Sequence, residues 1–396
     1  MPSDSPSSFT YAILGAGRQG TAAAYDLARF GDAARILLSD ANPQAAAQAA
    51  ERVNRLIGRA VAQGTALDVR DAGELRRFLE QADAALSAVP YYFNLEITRA
   101  AIEARTHLCD MGGHTETVLQ QISLDSEACE AGISIVPDCG MGPGLINTMA
   151  AYAIELLDRP RDIFIYDAGL PQNPTPPWNY ELSFHINGLT NEMDGKAVFL
   201  REGRITYVDT LTEPETIEFQ PLGPLEADVT SGGTSTAPWT FEGLLRTYEN
   251  KVLRYPGHYE WLRAFKTLGL FGETPIQVGD LQVIPRQVYH TLLEPQLSSP
   301  LVRDICVVRV IGRGEKAGRE AEVTIDLVDT YDEETGFTGM ERLTGWHCAI
   351  MLALQARGAA HPGATPVEKA VQASLFMEEL GRRGIQFDVK WKEMTG

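Results

Sequence analysis

A short apolar run leads directly into a G-x-G-x-x-G motif in Tyr11-Ala12-Ile13-Leu14-Gly15-Ala16-Gly17-Arg18-Gln19-Gly20, and a helix-forming segment follows from Thr21 to Phe30. In a strand-loop-helix unit of this kind Gly15 permits the tight turn, Gly17 lets the backbone approach a pyrophosphate, and Gly20 lets the helix pack closely on the strand. Phosphates bind at the positive N-terminal end of such a helix. The stretch therefore predicts a dinucleotide-binding loop that includes Arg18 and Gln19.

An acidic residue in the expected place supports this interpretation. Asp40 follows a second apolar strand, Ala34 to Leu38, and lies twenty residues after Gly20. A carboxylate at this position accepts the ribose hydroxyl groups of the adenosine and repels a 2′-phosphate. No cation follows in Ala41-Asn42-Pro43, so NAD is favoured over NADP, although Arg18 keeps NADP open.

Strands and helices continue to alternate beyond this unit, which predicts a Rossmann-type, doubly wound parallel sheet over residues 9–147. The predicted strands are Ala60–Ala66, Ala84–Pro90, Thr106–Cys109 and Ile133–Val136, and the predicted helices are Ala41–Ile57, Ala72–Glu80, Tyr92–Ala104 and Glu116–Ala131. Ligands of such sheets lie beyond the carboxyl ends of the strands. The strand ends add Asp68, Val69, Pro90, Gly112 and Gly113 to the cofactor-binding candidates.

The pattern changes near residue 150. A connecting helix is expected from Gly144 to Leu157, and strand-like runs separated by turns then dominate residues 148–343, which predicts an α+β substrate domain with a mainly antiparallel sheet. The runs are Ile163–Ala168, Tyr180–Ile186, Ala197–Leu200, Ile205–Val208, Ile305–Ile311 and Ala321–Asp329. Residues 344–396 are expected to form helices, Thr344–Ala356 and Pro366–Arg383, that pack back on the nucleotide domain.

Composition limits the possible partners. The chain has 396 residues and a net charge of −19 without a compensating Lys/Arg cluster, so nucleic acid is not expected as a partner. The five cysteines include no C-x-x-C pair, so neither a disulfide frame nor a metal site is predicted. The N-terminus lacks the features of a signal peptide, and no apolar run reaches about 18 residues. A cytoplasmic location without membrane contact is expected.

Several further segments are rich in glycine and polar residues, and they carry a family resemblance. They are Asp110–Glu116, Asp138–Asn147, Ser231–Trp239 and Arg254–His258. Five motifs resemble the saccharopine dehydrogenase-like family. They are the fingerprint, the strand end at Gly112-Gly113, Asp138-x-Gly-x-x-Pro-Gly-x-x-Asn147, the Gly169-Leu170-Pro171 turn with Phe184 after it, and Gly345-Trp346-His347. Gly232-Gly233-Thr234, Arg254-Tyr255-Pro256-Gly257-His258 and the last of these motifs are most similar to its lysine 6-dehydrogenase members.

This resemblance implies an oxidoreductase that uses NAD and acts on a small amino acid. The implied reaction is oxidative deamination of L-lysine at its ε-carbon, and the product, 2-aminoadipate 6-semialdehyde, cyclises to a piperideine carboxylate. A homodimer or a higher homo-oligomer is also implied.

The reaction assigns expected roles to particular residues. Arg254 is the candidate for the α-carboxylate, because Arg binds carboxylates bidentately. Asp110 or Glu116 would accept a hydrogen bond from the α-ammonium group. His258 would act as the base for the water that attacks the imine. Asp110 and His258 are the catalytic candidates. Further substrate-binding candidates are Asn147, Thr234, Tyr91 and His185.

Structural roles compete with each of these assignments. Asp110 and Glu116 could serve the helix that follows them, Arg254 could form an ion pair, and His185, His258 and His347 could be hydrogen-bonded structural residues.

Two other functions also stay open. A saccharopine-type reductase would need a second cation for carboxylate binding, so it depends on how many of Arg246, Arg254 and Arg286 converge. A non-catalytic NAD-binding sensor would need no polar substrate site.

Overall fold

Seven parallel strands form the first sheet of the computed structural model, which describes residues 8–299 and 301–393. Their order is β17-β6-β5-β4-β1-β2-β3. The bounds are β1 (Phe9–Leu14), β2 (Ala33–Asp40), β3 (Ala62–Ala66), β4 (Ala84–Ser87), β5 (His107–Asp110), β6 (Ser134–Val136) and β17 (Gly363–Ala364). This arrangement confirms the predicted Rossmann-type sheet.

Helices connect these strands, as a parallel sheet requires. They are α1 (Arg18–Phe30), α2 (Pro43–Ile57), α3 (Ala72–Leu79), α4 (Asn94–Ala104), α5 (Thr115–Ile122) and α6 (Asp125–Ala131), with a short 3₁₀ turn at Tyr91–Phe93. The central strand β1 is apolar and fully buried from Tyr11 to Leu14 because helices cover both of its faces. The single helix expected at Glu116–Ala131 is two helices, α5 and α6.

The second sheet has nine strands and is mainly antiparallel, as expected. They are β7 (Arg159–Pro171), β8 (Lys196–Arg201), β9 (Arg204–Asp209), β10 (Glu215–Phe219), β11 (Gly223–Val229), β12 (Thr247–Arg254), β15 (Asp304–Lys316), β16 (Arg319–Thr330) and β18 (Phe387–Glu393). The main order is β10-β11-β12-β7-β15-β16-β18, and β8 pairs with β12 and β9. Only β7 and β12, which are neighbours, pair in parallel among its described strands.

Smaller elements complete this half of the chain. The hairpin β13 (Ile276–Val278) and β14 (Leu281–Val283) stands apart from both sheets. The helices are α7 (Leu145–Leu156), α8 (Ile186–Glu192), α9 (Ala237–Thr240), α10 (His258–Thr267) and α11 (Pro285–Leu297). None of the described helices has the length and apolar character needed to cross a bilayer.

One predicted strand of this region is wrong. The segment expected as a strand at Tyr180–Ile186 is irregular and ends where α8 begins. Its alternating apolar residues, Tyr180 and Leu182, pack with α10 and α11 in an aromatic-rich cluster, so they are buried without a neighbouring strand.

The C-terminal region serves both sheets. It contains α12 (Gly339–Glu341), a π-helical turn (Arg342–Trp346), α13 (His347–Ala356), α14 (Val367–Ala370) and α15 (Ala373–Arg382). Helix α13 packs on β4, β5 and α1 of the first half. However, residues 344–396 are not helical throughout, because β17 extends the first sheet and β18 pairs with β16 of the second. The last three residues, 394–396, lie outside the described part of the chain, and the proposed domain bounds stay a prediction.

Helix α7 joins the two halves. It packs against β7, β15 and β16 of the second sheet, and its apolar residues belong to a buried cluster that continues to β1 of the first sheet. The carboxyl end of β6 also lies against the second half, because Asp138, two residues beyond it, forms a hydrogen bond with Ser235.

Candidate active site

The glycine-rich loop has the geometry needed to receive a pyrophosphate. Gly15 has φ +101°, and a Cβ atom there would lie 2.6 Å from the carbonyl oxygen of Ala88. A Cβ on Gly20 would lie 1.9 Å from the carbonyl oxygen of Gly15, so the helix approaches the loop as closely as it can. By contrast, no atom of the described chain lies within 4 Å of a Cβ placed on Gly17, so this glycine faces open space. No side chain caps α1, whose first N–H groups remain free for an anion.

Asp40 lies beside this loop, as the ribose assignment requires. Its carboxylate accepts hydrogen bonds from the backbone N–H groups of Ala16, at 3.0 Å, and Asn42, at 2.8 Å. Because a carboxylate has about four acceptor positions, both oxygens can still accept from ribose hydroxyls. Arg18, the cation that kept NADP open, donates to Glu341 at 2.5 Å, although 48% of its side chain is exposed.

The other strand ends have different surroundings. Val89 contacts the glycine loop, with its Cγ1 3.2 Å from the Cβ position of Gly15, and the exposed Pro90 follows it. Asp68 pairs with Arg70 at the surface, which lowers the pKa of the Asp68 carboxyl to about 2. Val69 packs partly into the core of the first half. Of these residues, Val89 has a described contact with the loop.

Tyr91 and the two glycines after β5 form a rim at the carboxyl ends of β4 and β5, and β4 pairs with β1. Gly112 has φ +65°, and a Cβ there would overlap the carboxylate of Asp138 at 1.6 Å. Gly113, with φ +108°, faces open space, which leaves its backbone accessible to a ligand. Tyr91 stacks on His114, with ring centroids 4.7 Å apart. The stacked pair forms part of this rim.

Asp110 supports the rim from below. One carboxylate oxygen accepts from the N–H groups of Gly112, at 2.7 Å, and Asp138, at 3.3 Å, and the other accepts from the side chain of Gln121 at 2.7 Å. The residue is fully buried, and burial raises the pKa of its carboxyl to about 7. Because both oxygens are occupied and none of the residue is accessible, the geometry favours a positioning role over the catalytic one predicted for Asp110. Glu116 lies in the first turn of α5, where it acts on the helix dipole.

Asp138 joins the two halves, and sequence reasoning placed it in a motif without giving it a role. Its backbone has φ +61°, one oxygen accepts from the Gly113 N–H at 3.1 Å, and the other accepts from the Ser235 hydroxyl. Burial raises the pKa of the Asp138 carboxyl. The carboxyl group therefore connects the rim of the first half to the Ser231–Trp239 segment of the second.

Asn147 and Thr234 also act as connections. The side chain of Asn147 accepts from the Gly144 N–H at 2.9 Å and donates to the Thr234 carbonyl at 3.0 Å and to the Tyr248 hydroxyl at 3.1 Å. The Thr234 hydroxyl donates to the Val198 carbonyl at 2.8 Å. Both residues are buried, so their hydrogen bonds favour structural roles over the substrate contacts predicted for them.

A row of polar side chains lies on the inner face of the second sheet. On β7 the inward positions Ile163 and Ile165 are apolar, but the next one is Asp167. Its Oδ1 accepts from the side chain of Asn250 on the adjacent, parallel strand β12 at 2.7 Å. Arg254 ends β12 on the same face, because residues two apart point the same way.

Arg254 is buried with only part of its guanidinium paired. Nη2 donates to Glu192 at 3.2 Å, Nη1 donates to the Leu253 carbonyl at 3.0 Å, and the guanidinium carbon lies 5.1 Å from the centre of the Tyr180 ring. Arg254 is 2% exposed, and its Nε has no partner among the described residues. Burial raises the pKa of Glu192, and the charge of Arg254 opposes that shift.

Buried polar atoms without hydrogen bonds are concentrated here. In the described chain 15 buried side-chain atoms have no partner, and seven of them belong to this cluster. They are Tyr180 Oη, Ser183 Oγ, Thr230 Oγ1, Asn250 Oδ1, Arg254 Nε and both ring nitrogens of His258. The hydroxyls of Tyr180 and Ser183 lie near each other without forming a good hydrogen bond. Because native proteins leave few such groups unpaired, the concentration indicates a site for a polar ligand or ordered water.

His258 and His185 are in different places. His258 begins α10, and its ring contacts Tyr180 and Trp261 at centroid distances of 4.9 and 4.4 Å. Burial and the adjacent Arg254 lower the pKa of His258 well below its ordinary value, which favours the neutral ring, and the Trp178 backbone opposes this shift. His185 is an exposed N-cap that accepts from the Asn187 N–H at 3.1 Å.

His347 is a structural residue of the joint. It is fully buried and forms hydrogen bonds with the Cys139 carbonyl at 2.9 Å and the Thr148 hydroxyl at 3.0 Å. Burial lowers the pKa of its ring to about 4. The structure therefore places Arg254 and His258 together around the Tyr180 ring, and Asp138 connects the rim to the second half. The binding roles of His185 and Asp68 stay predictions.

Comparison with known proteins agrees with this two-part arrangement. Residues 11–136 match the family model "Saccharopine dehydrogenase NADP binding domain", and residues 140–385 match "Saccharopine dehydrogenase C-terminal domain". Saccharopine dehydrogenase (NADP(+), L-glutamate-forming) of Schizosaccharomyces pombe is 23% identical over 218 residues, which are 53% of this chain and 48% of that protein. The mitochondrial alpha-aminoadipic semialdehyde synthase of Rattus norvegicus is 23% identical over 210 residues, 50% of this chain and 22% of that protein.

The aligned region thus spans about half, or less, of the length of these relatives. Among solved structures, apo saccharopine dehydrogenase (L-Glu forming) from Saccharomyces cerevisiae superposes with a TM-score of 0.78. The two are 18% identical, and the match covers 97% of this chain and 100% of that one. At this identity the structural likeness establishes the fold.

Proposed function

Since the chain belongs to the saccharopine dehydrogenase family, we propose that it is an NAD-dependent dehydrogenase that oxidatively deaminates the ε-amino group of L-lysine. The product is 2-aminoadipate 6-semialdehyde, which cyclises to a piperideine carboxylate. The observation that carries this proposal is the buried, partly unpaired guanidinium of Arg254 beside the carboxyl groups of Glu192 and Asp167. An α-amino acid has one carboxylate and at least one ammonium group, which such a cluster can bind.

The positions of Arg246, Arg254 and Arg286 favour a substrate with a single carboxylate. Arg246 pairs with Asp162 and is 51% exposed, and Arg286 pairs with Asp194 and Glu273. Neither belongs to the polar cluster around Arg254. A substrate with several carboxylates, as a saccharopine-type reductase requires, would need further cations there.

NAD fits the residues of the first half. The free N–H groups at the start of α1 would bind the pyrophosphate, the open backbone at Gly17 and Gly113 would allow close approach, and Asp40 would accept the ribose hydroxyls. When bound, the nicotinamide supplies the acceptor for a hydride. The Schizosaccharomyces pombe relative and the matching N-terminal family model are NADP-binding by name, but in this chain Asp40 disfavours a 2′-phosphate and Arg18 is paired with Glu341.

The protein has to prepare the amine for oxidation. Hydride leaves the ε-carbon only when the nitrogen lone pair is free, whereas the amine of free lysine has a pKa of about 10.4. Burial disfavours the charged form of an amine, and a carboxylate can accept its proton. Arg254 holds the far end of the substrate, so the reacting carbon is positioned by the same cluster.

The saccharopine-type reductase remains the second candidate, because the names of the relatives point to it. The test is to incubate the purified protein with L-lysine and NAD and to follow the absorbance of reduced nicotinamide. Reduction with lysine is the expected result. No reduction, but oxidation of NADPH by 2-aminoadipate semialdehyde plus glutamate, would favour the second candidate. Tight NAD binding without either reaction would favour a sensor.

A further inference from the structure

We propose that Asp167 is a catalytic residue that takes the proton from the reacting ammonium group of the substrate, while Arg254 and Glu192 bind the α-amino-acid end. The inference rests on the proposed function and assigns a proton acceptor to it. The residue comes from an inward position of β7, in a place where the preceding inward residues are apolar.

One oxygen of Asp167 is fixed and the other is free. Oδ1 accepts from Asn250, whereas Oδ2 forms no hydrogen bond with the described part of the chain. A Cβ atom on Gly142 would lie 3.0 Å from Oδ2, so glycine at that position leaves the oxygen uncovered. Gly142 belongs to the loop after β6, at the carboxyl edge of the first sheet. The free oxygen therefore faces the side from which the nicotinamide would approach.

The spacing between Asp167 and Arg254 suits a long amino acid. Asp167 pairs in register with Val252, and Arg254 lies two residues further along the same strand. Two residues of a strand span about 7 Å. This separation is comparable to the four-carbon stem of an extended lysine, whose carboxylate would bind Arg254 and whose α-ammonium would bind Glu192.

The charges around Asp167 suit proton transfer near neutral pH. Burial raises the pKa of Asp167 to about 6, and the hydrogen bond from Asn250 and the charge of Arg254 oppose this shift. The other titratable groups that act on this environment are Glu192 on α8, Tyr259 on α10 and Cys306 on β15. A carboxyl group of this pKa both accepts and releases a proton near pH 7.

The chemical steps balance with lysine, NAD and water. The ε-ammonium gives one proton to Asp167, which leaves a neutral amine and a carboxylic acid. The ε-carbon then loses a hydride to the oxidised nicotinamide and becomes a protonated imine. Water adds to that carbon, the carbon–nitrogen bond breaks, and the aldehyde and ammonium leave. Asp167 returns its proton to solvent.

The first experiment compares Asp167→Asn with wild type and with Asp388→Asn, a matched change on β18 where the side chain is 78% exposed. Asn keeps an acceptor for Asn250 but cannot take the proton. We expect turnover of L-lysine at pH 7 to fall by about a hundredfold in Asp167→Asn, with unchanged NAD affinity. Its kcat/KM should rise about tenfold per pH unit above neutrality, because free neutral amine then replaces the missing proton acceptor.

The second experiment measures binding without turnover. Isothermal titration of L-lysine and of L-norleucine, which lacks the ε-amine, into the protein saturated with NADH should show a preference for lysine in wild type. Asp167→Asn should lose most of that preference and keep its affinity for norleucine. The role of Asp167 would be overturned if Asp167→Asn lost affinity for lysine and norleucine equally, or if it kept the preference for lysine. Turnover of lysine by Asp167→Asn at the wild-type rate would also overturn it.

These outcomes also separate the two proposals. A wild-type protein that oxidises no lysine but shows an Asp167-dependent preference for lysine would overturn the proposed function and support the contact. A wild type that binds neither amino acid would overturn both.

Discussion

The nucleotide end and the amino-acid end of the proposed active site are built in different ways. The nucleotide end consists mainly of backbone: free N–H groups of α1, glycines at positive φ or in open space, and one carboxylate. The amino-acid end consists of buried side chains, above all Asp167, Asn250 and Arg254, on two strands far apart in the sequence. A site made of backbone needs glycines, because a larger side chain would block the ligand from the N–H groups. A site made of side chains needs charged groups that are free to pair with the ligand.

This difference means that substitutions should fail in different ways at the two ends. Adding atoms should damage the nucleotide end, and removing charges should damage the amino-acid end. Substitutions at either end test that distinction, because each should leave the opposite end unchanged.

The largest effect is expected for Arg254→Met. Loss of the buried cation should raise KM for lysine about a thousandfold and leave NAD affinity unchanged, because a charge-assisted contact is lost and Glu192 is left without its partner. The free energy of unfolding should fall by about 3 kcal/mol at neutral pH. Steady-state kinetics, NAD titration and denaturant unfolding measure the three quantities. Arg319→Met, at a surface pair in which that arginine is 78% exposed, is the control and should change none of them.

At the nucleotide end, Gly20→Ala should be the most damaging change. Its Cβ would meet the Gly15 carbonyl at 1.9 Å, so helix and loop must separate. We expect about 3 kcal/mol less stability and at least a hundredfold weaker NAD binding, without a specific effect on norleucine binding. Gly17→Ala is the matched variant, because nothing lies within 4 Å and φ is −73°. It should fold normally yet bind NAD more weakly; normal NAD affinity in Gly17→Ala would contradict the proposed approach of the pyrophosphate.

The joint between the ends should be sensitive to acid through His347. Its pKa is about 4 in the folded protein and about 6.5 when unfolded. Between these values the unfolded chain binds more protons, so this contribution to stability is present above pH 6.5 and is lost as the pH falls towards 4. His347→Gln should remove up to about 3 kcal/mol of that loss. Denaturant unfolding at several pH values compares the two proteins, and parallel pH dependences would exclude the assigned shift.

The smallest effect is expected for Asp40→Asn. It removes the charge that favours ribose hydroxyls, so NAD affinity should fall by about tenfold, or about 1.4 kcal/mol, while turnover at saturating NAD stays the same. Binding of NADP should weaken less or improve. Asp388→Asn, on β18 where the side chain is 78% exposed, serves as the control. Equal effects of the two substitutions would remove the ribose assignment from Asp40.

Sequence reasoning succeeded where the signal is local. The alternation of strands and helices depends on neighbouring residues, and the parallel sheet that follows from it is confirmed. The binding roles of the glycine loop, Asp40, Gly112 and Gly113 stay predictions. The catalytic interpretation of Asp110 had less support, because an acid at a strand end can point either into the crevice or, as here, beneath the loop.

The amino-acid end could be predicted only in part. Arg254 and His258 were identified from a motif, but strand β12 was not, since Glu249 and Lys251 on its outer face obscure the apolar alternation. Asp167 did carry a signal: it is a charged residue at an inward position of the predicted strand Ile163–Ala168. Its partner Asn250 is remote in sequence, so the pair depends on the register of β7 and β12.

The course of the last segment has a consequence for how this molecule can be divided. Residues after α13 first add the edge strand β17 to one sheet and then, as β18, close the edge of the other. A fragment that ends near residue 147 would lack a strand and a covering helix, so we expect it to fold poorly as an isolated unit. Exchange of either half between homologous proteins would have to include the C-terminal segment, because that segment completes both sheets.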